Sequence, residues 1–139
     1  MSWNDDVMND FHDHDGTVDG TDRTIVIMHT VGARSGIVRP NPVTGLPDGA
    51  SWLVTATAAG AQSDPGWAHN LRANPDIDLE VAFPEGGVGI VPVHAEELAE
   101  PTRTEVWPRF PAAKPVFNEY TTKTDRVFPV FRLSPRQSA

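Results

Sequence analysis

The chain has 139 residues (15.1 kDa), 39% of them hydrophobic and 22% charged, which excludes a disordered or fibrous chain and leaves enough apolar side chains for one core. Cysteine is absent, which rules out disulfides, thiolate metal sites and a cysteine nucleophile. The net charge of −8 sits at the front: residues 1–22 carry seven aspartates and no Lys or Arg, so general nucleic-acid binding and attraction to anionic membranes are disfavoured. No apolar run approaches the length of an integral membrane segment, and the first residues lack a signal peptide's basic and apolar regions. A cytoplasmic protein with a single domain over 1–139 is expected, with 1–22 an acidic N-terminal helix and glycine turn.

Trp3, Val7, Met8 and Phe11 recur at near-helical spacing behind Ser2 or Asn4 as caps, so 3–14 reads as an amphipathic helix that Gly16 stops. Asp10, Asp13 and Asp15 oppose its macrodipole, and its last turn is expected to fray. Three runs rich in Val, Ile and Thr follow as strands: Thr24 to Thr30, Ile37 to Val43 and Ser51 to Thr57. Asp64-Pro65-Gly66-Trp67 opens a helix, with Asp64 as cap and Pro65 first inside it, and Asn74-Pro75 closes it. The segment 77–83 alternates as a half-buried strand, and Pro84-Glu85-Gly86-Gly87 turns it into Val88 to Ala95. The stretch 95–120 is broken by Pro101, Pro108, Pro111 and Pro115 into two or three short helices. A last strand runs from Val127 to Leu133, with Pro129 marking an edge or bulge. Six strands and few helices imply a closed or nearly closed antiparallel barrel with flanking helices.

Several segments could carry chemistry. Gly32-Ala33-Arg34-Ser35-Gly36 joins two strands with exposed N–H groups, a hydroxyl and a guanidinium suited to phosphate or carboxylate, though an ordinary hairpin loop reads the same way. The small residues of Thr55-Ala56-Thr57-Ala58-Ala59-Gly60-Ala61 would let a flat ligand approach the backbone, or form a plain surface loop. Tyr120, the sole tyrosine, could lend a proton to a developing oxyanion or simply pack. His12 and His14 are two apart and make a poor metal pair; His29, His69 and His94 lie on separate elements, so no metal site is assigned.

In order, Thr30-Val31-Gly32-Ala33-Arg34-Ser35-Gly36, Pro40-Asn41-Pro42, Ala59-Gly60-Ala61, the run from Pro65 through Trp67-Ala68-His69-Asn70-Leu71-Arg72-Ala73-Asn74-Pro75, Trp107-Pro108 and Thr124-Asp125-Arg126 together resemble the deazaflavin-dependent nitroreductase family. Its members bind coenzyme F420 in a split β-barrel. The resemblance implies that Arg34, Ser35 and Gly36 belong to a loop holding the cofactor's phosphate and acidic tail, with Arg39, Asn41 and Pro42 continuing that site. It places Ala56, Thr57, Ala59 and Gly60 along the deazaflavin ring and its linker. Trp67 and Asn70 then border the ring and substrate pocket, and Tyr120 lies near the point of hydride transfer. Ala33 and Ala58 stand where the family often carries basic residues, and Val43-Thr44-Gly45 stands where an aromatic often follows the Asn-Pro pair.

The resemblance implies an F420-dependent oxidoreductase passing a hydride to a small electron-poor acceptor, a quinone, an enone or a nitroaromatic, with Thr57 and Tyr120 polarising or protonating it. The missing cations keep two alternatives open: an FMN-dependent reductase of the same fold, and a non-catalytic binder that sequesters the deazaflavin. Split barrels of this kind are often dimers, so a homodimer is one expected assembly.

Overall fold

The computed structural model describes residues 3–136, with Trp3 described by its backbone alone. Its strands are β1 Ile25–Val31, β2 Val38–Thr44, β3 Leu46–Asp48, β4 Ser51–Thr55, β5 Asp76–Ala82, β6 Val88–Glu97 and β7 Val130–Pro135. They pair antiparallel throughout in one sheet of order β2-β1-β5-β6-β7-β4-β3. Around it lie α1 Trp3–Asp13, α2 Gly66–Ala73, α3 Thr102–Val106, α4 Arg109–Ala113 and α5 Val116–Thr121, with a single 3-10 turn at Ala58–Gly60. The sheet curls into a half-barrel rather than closing: β2 and β3 are its two edges. The split barrel is therefore as expected, with seven strands instead of six.

The register follows from side-chain alternation. In β5, Ile77, Leu79 and Val81 point into the main core beside Val26, Met28, Val54, Leu71 and Leu133. The first half of β1 is covered on both faces, which is why residues 25–28 read as an unbroken apolar run. Val26 and Met28 face the barrel interior, while Ile25 and Ile27 pack under Val7 and Phe11 of α1. A third cluster, Leu46, Leu53, Phe110, Phe117 and Val130, fixes α4 and α5. Prolines 40 and 42 sit on the edge strand β2, opposite His29 and Ile27, where a missing N–H leaves the neighbouring sheet intact.

The helical stretch resolves into three short helices whose N-caps are Pro101, Pro108 and Pro115. Each proline's fixed φ starts a helix without losing an internal bond. Pro111 falls in the first turn of α4, where its absent N–H costs nothing.

Several expectations change. The strand expected over Val88 to Ala95 runs on to Glu97 because Ala95–Glu97 pair with Phe131–Leu133 of β7, and that last strand spans Val130–Pro135 rather than Val127 to Leu133. Pro129 is neither edge nor bulge: it precedes β7, a mid-sheet strand, and its carbonyl accepts the Ala56 N–H (3.0 Å) and the Thr55 hydroxyl (2.9 Å). Asp64 does not cap α2; Pro65 is the N-cap, and the Asp64 carboxylate binds Arg126 and Arg72 instead. The last turn of α1 is tied down, since Asp10 accepts the Asp19 N–H at 2.7 Å and His12 Nε2 lies 2.8 Å from Glu80. Gly16 does end that segment, at φ +87°, and a Cβ there would come within 2.4 Å of the Ala82 Cβ. Asn4 lies inside α1 and does not cap it, while Ser2 and the Trp3 side chain are outside the described residues.

Candidate active site

A cavity of about 330 Å³ opens where the edge strand β2, the end of β4, α2 and α5 converge. β2 contributes Asn41, Pro42, Val43 and Thr44, and the segment after β4 contributes Thr57, Ala58 and Ala59. Trp67 of α2 and Phe117 and Tyr120 of α5 supply flat aromatic walls, and Asn4 of α1 stands at the rim. This size and apolar lining with a few polar groups suit one small planar ligand.

Two hydroxyls in this cavity are free of protein partners among the described residues. Thr57 is 6% exposed, and no protein group takes its hydroxyl, although Thr55 two residues earlier donates to Pro129. Tyr120 makes ring contacts only, edge-on to Phe117 at 5.6 Å and beneath the Lys123 ammonium at 5.9 Å. A hydroxyl held by its neighbours and facing a cavity is placed to meet a ligand oxygen.

The wall formed by 56–61 has an unusual backbone. Ala58 and Ala59 both adopt left-handed conformations, φ +47° and +55°, which cost an alanine about 1–2 kcal/mol each. Arg126 holds them there. Its guanidinium donates to the carbonyls of Ala56 (3.1 Å), Thr57 (2.8 Å) and Ala61 (3.0 Å) and pairs with Asp64, while its face lies on Phe128. Asp64 is shared with Arg72 of α2, whose fork also grips Glu97 of β6 and is held firmly protonated by that carboxylate. Gly60 is required at the end of this strap: at φ +85° it passes within 3.0 Å of the Tyr120 carbonyl, measured from where a Cβ would sit.

The β1–β2 loop is built by its own polar groups. Ser35 Oγ accepts the Ile37 N–H (3.1 Å), and Gly36 is at φ +68°. Asn70 and Asn74, one turn apart on and after α2, clamp this loop: Asn70 Oδ1 accepts the Ala33 N–H (3.0 Å) and Asn74 Nδ2 donates to the Val31 carbonyl (3.2 Å). The asparagines of the Trp-x-x-Asn-x-x-x-Asn run therefore fasten loop to helix.

The anticipated residues divide into three groups. Asn41, Pro42, Thr57, Ala59, Trp67 and Tyr120 line one cavity. Arg34, Ser35, Gly36 and Arg39 lie outside it on exposed backbone, Arg39 on the same face of β2 as Asn41. Ala56, Gly60 and Asn70 support the walls from behind, Ala56 being wholly buried. Sequence reasoning missed Asn4, Val43, Thr44 and Phe117, while Thr55 and Ala58 fall inside the 55–61 segment already singled out; the i, i+2 alternation from Asn41 to Val43 was the available signal.

Charge is sorted around the site. Among the described residues, Arg34 and Arg39 have no protein partner, and Lys123 meets only the Tyr120 ring. Every other Lys or Arg is held by carboxylates, carbonyls or a hydroxyl. An anion would find these three cations without neutralising partners.

A family model described as F420H(2)-dependent quinone reductase matches residues 7–135. The chain belongs to that family. An F420H(2)-dependent quinone reductase of Mycobacterium tuberculosis is 31% identical over 119 residues, covering 80% of this chain and 73% of the relative. The solved structure of an F420-H2 dependent reductase, FDR-A, is 32% identical with a TM-score of 0.70, over 81% of this chain and 95% of that one. A solved structure described as a domain-swapped dimer is 33% identical with a TM-score of 0.71, over 86% and 88%. Of the three acceptor classes expected from the sequence, the quinone is the one in the family's description, and F420 is the cofactor it names. Among the described residues, no helix is long and apolar enough to cross a membrane.

Proposed function

We propose that this chain passes a hydride from reduced F420 to a quinone inside the cavity bounded by Thr57, Trp67 and Tyr120, working as a single-domain cytoplasmic enzyme and a homodimer. The observation that supports it best is the cavity itself, with flat aromatic walls and two hydroxyls without protein partners; each cation left without a protein ion pair adjoins an element that lines it, Arg39 two residues from Asn41 on β2, Arg34 in the loop fastened to α2 by Asn70, and Lys123 over the Tyr120 ring. F420 is an anionic deazaflavin, and its phosphate and acidic tail suit those cations while its flat ring suits the walls of Trp67 and the strapped 57–59 backbone. When bound, F420 supplies two electrons as one hydride.

The protein's own contribution is placement and proton supply. Trp67 and Phe117 would shield a bound ring from water, and Arg126 keeps the 57–59 wall in shape. A quinone oxygen that gains negative charge is stabilised by a donor, and the Tyr120 phenol and Thr57 hydroxyl are the two hydroxyls of the cavity lining without a protein partner among the described residues. Asn41, whose Oδ1 accepts from Thr30 at 2.9 Å, is fixed at the opposite wall.

Fluorescence titration of the purified protein with F420 and with FMN tests the cofactor, and stopped-flow oxidation of F420H2 by a naphthoquinone, an enone and a nitroaromatic tests the acceptor. Saturable F420 binding and fastest turnover with the quinone are expected. Binding of FMN in preference to F420, or F420 binding with no quinone turnover, would overturn the reading. The homodimer rests on the relative described as domain-swapped, and size-exclusion chromatography with light scattering checks it.

A further inference from the structure

We infer that the site has a second, apolar arm, between α1 and α5, that receives the hydrocarbon tail of the quinone; the inference rests on the quinone reductase reading above. A cavity of about 250 Å³ lies next to the main cavity, and the two are bounded by the same side chains, Pro42, Val43, Thr44, Phe117 and Tyr120. Its remaining apolar wall is Val7 of α1, Val18, Ile25 of β1 and Val116 of α5.

The polar groups around this arm favour a neutral occupant. Lys114 Nζ lies 2.6 Å from Asp22 Oδ2 and donates to Thr44 Oγ1 at 2.8 Å, so its charge is already met. Asp19 adds a second carboxylate to the lining. An anionic chain entering here would face two carboxylates and one neutralised ammonium, whereas a hydrocarbon loses nothing by lying on valines and an isoleucine. None of the partner-free cations Arg34, Arg39 and Lys123 is among the residues that line this arm. Each arm thus suits one ligand: the basic side an anionic cofactor, the apolar side an uncharged tail. Tyr120 stands where the arms meet, at the place a quinone head would occupy if its tail filled the side arm.

The test compares 2-methyl-1,4-naphthoquinone with the same head bearing one prenyl group at the adjacent carbon. Isothermal titration calorimetry on the cofactor-free protein reads binding directly, and F420 affinity is titrated separately. The prenylated quinone should bind about tenfold tighter or more, as burial of several carbons predicts. Val116→Glu and Val116→Trp block the arm by charge and by bulk; Val116 is 38% exposed and first in α5, where Glu suits the helix start. Either variant should bring the ratio of the two affinities towards one. Equal affinities in the wild-type protein, or a ratio unmoved in both folded variants, would overturn the inference. Loss of F420 binding with the tail preference intact would instead count against the cofactor reading.

Discussion

Replacing Arg126 by Met keeps the length of the side chain and removes the strap on the 56–61 wall. The guanidinium is 14% exposed and serves three carbonyls and the Asp64 carboxylate. Hydrogen bonds to a charged group contribute about 1.5–3 kcal/mol each, but four on one side chain do not add. Breaking a largely buried pair costs about 3–5 kcal/mol. Asp64 keeps Arg72, which tempers the loss, so about 3–4 kcal/mol is expected. In urea unfolding that moves the midpoint down by roughly 2 M at an ordinary slope. Released from the strap, Ala58 and Ala59 can leave their left-handed conformations, so F420 affinity should fall too. Arg126→Lys should recover only part of both effects, because one ammonium cannot span three carbonyls set by a planar fork. A midpoint within about 0.3 M of wild type, with F420 affinity unchanged, would refute the reasoning.

Three other outcomes follow from the same geometry. Arg34→Ala should weaken F420 binding about tenfold and leave the melting temperature of the cofactor-free protein unmoved, since Arg34 has no protein partner to lose; unchanged affinity in the fluorescence titration would remove it from the anion site. Tyr120→Phe should slow single-turnover quinone reduction about a hundredfold with F420 affinity intact; a normal rate with lowered stability would make Tyr120 a packing residue. Burial pushes Glu80 up, but His12 and His29, each at 2.8 Å, hold its carboxyl below the ordinary value. A depressed carboxyl stabilises the fold above the unfolded-state value and loses that contribution as pH falls through the folded one. Glu80→Gln should therefore cost about 2 kcal/mol near neutral pH and progressively less in acid, read from urea midpoints between pH 7 and pH 3; a gap that widens in acid would show the sign is wrong.

Most elements were legible because their burial is local and periodic. The alternation in 77–83 gave β5 its faces, and the prolines of 95–120 divided that stretch into helices at their own positions. β3 was not legible: three residues with a proline between Leu46 and Asp48 carry no period, and pairing with Ser51–Leu53 alone makes them a strand. Asp64 was misread because Asp-Pro before a helix is the ordinary cap signal, while its true partner is Arg126, 62 positions on. Arg126 itself stood in the resemblance without a role, since backbone carbonyls 65 to 70 positions away leave no mark in side-chain spacing. The cavity residues Thr57, Trp67 and Tyr120 were reached by resemblance; Phe117 and Thr44 were not, for both look like plain core and turn residues until α5 folds against β2.

A chain of net charge −8 that draws in an anionic cofactor needs local charge to outweigh the total. Much of the acid is already satisfied where it stands. Asp10 holds the Asp19 N–H and His14, and burial pushes the Asp22 carboxyl up while Lys114 and Thr24 bring it below its ordinary value. Arg109 and Arg132 hold Asp48 low, and Arg72 and Arg126 share Asp64. Interactions between exposed charges fade over about 8 Å at physiological salt, so a ligand at the cavity rim responds to the side chains nearest it. Arg34, Arg39 and Lys123, the cations that the fold does not use for itself, stand on or beside elements that line the cavity.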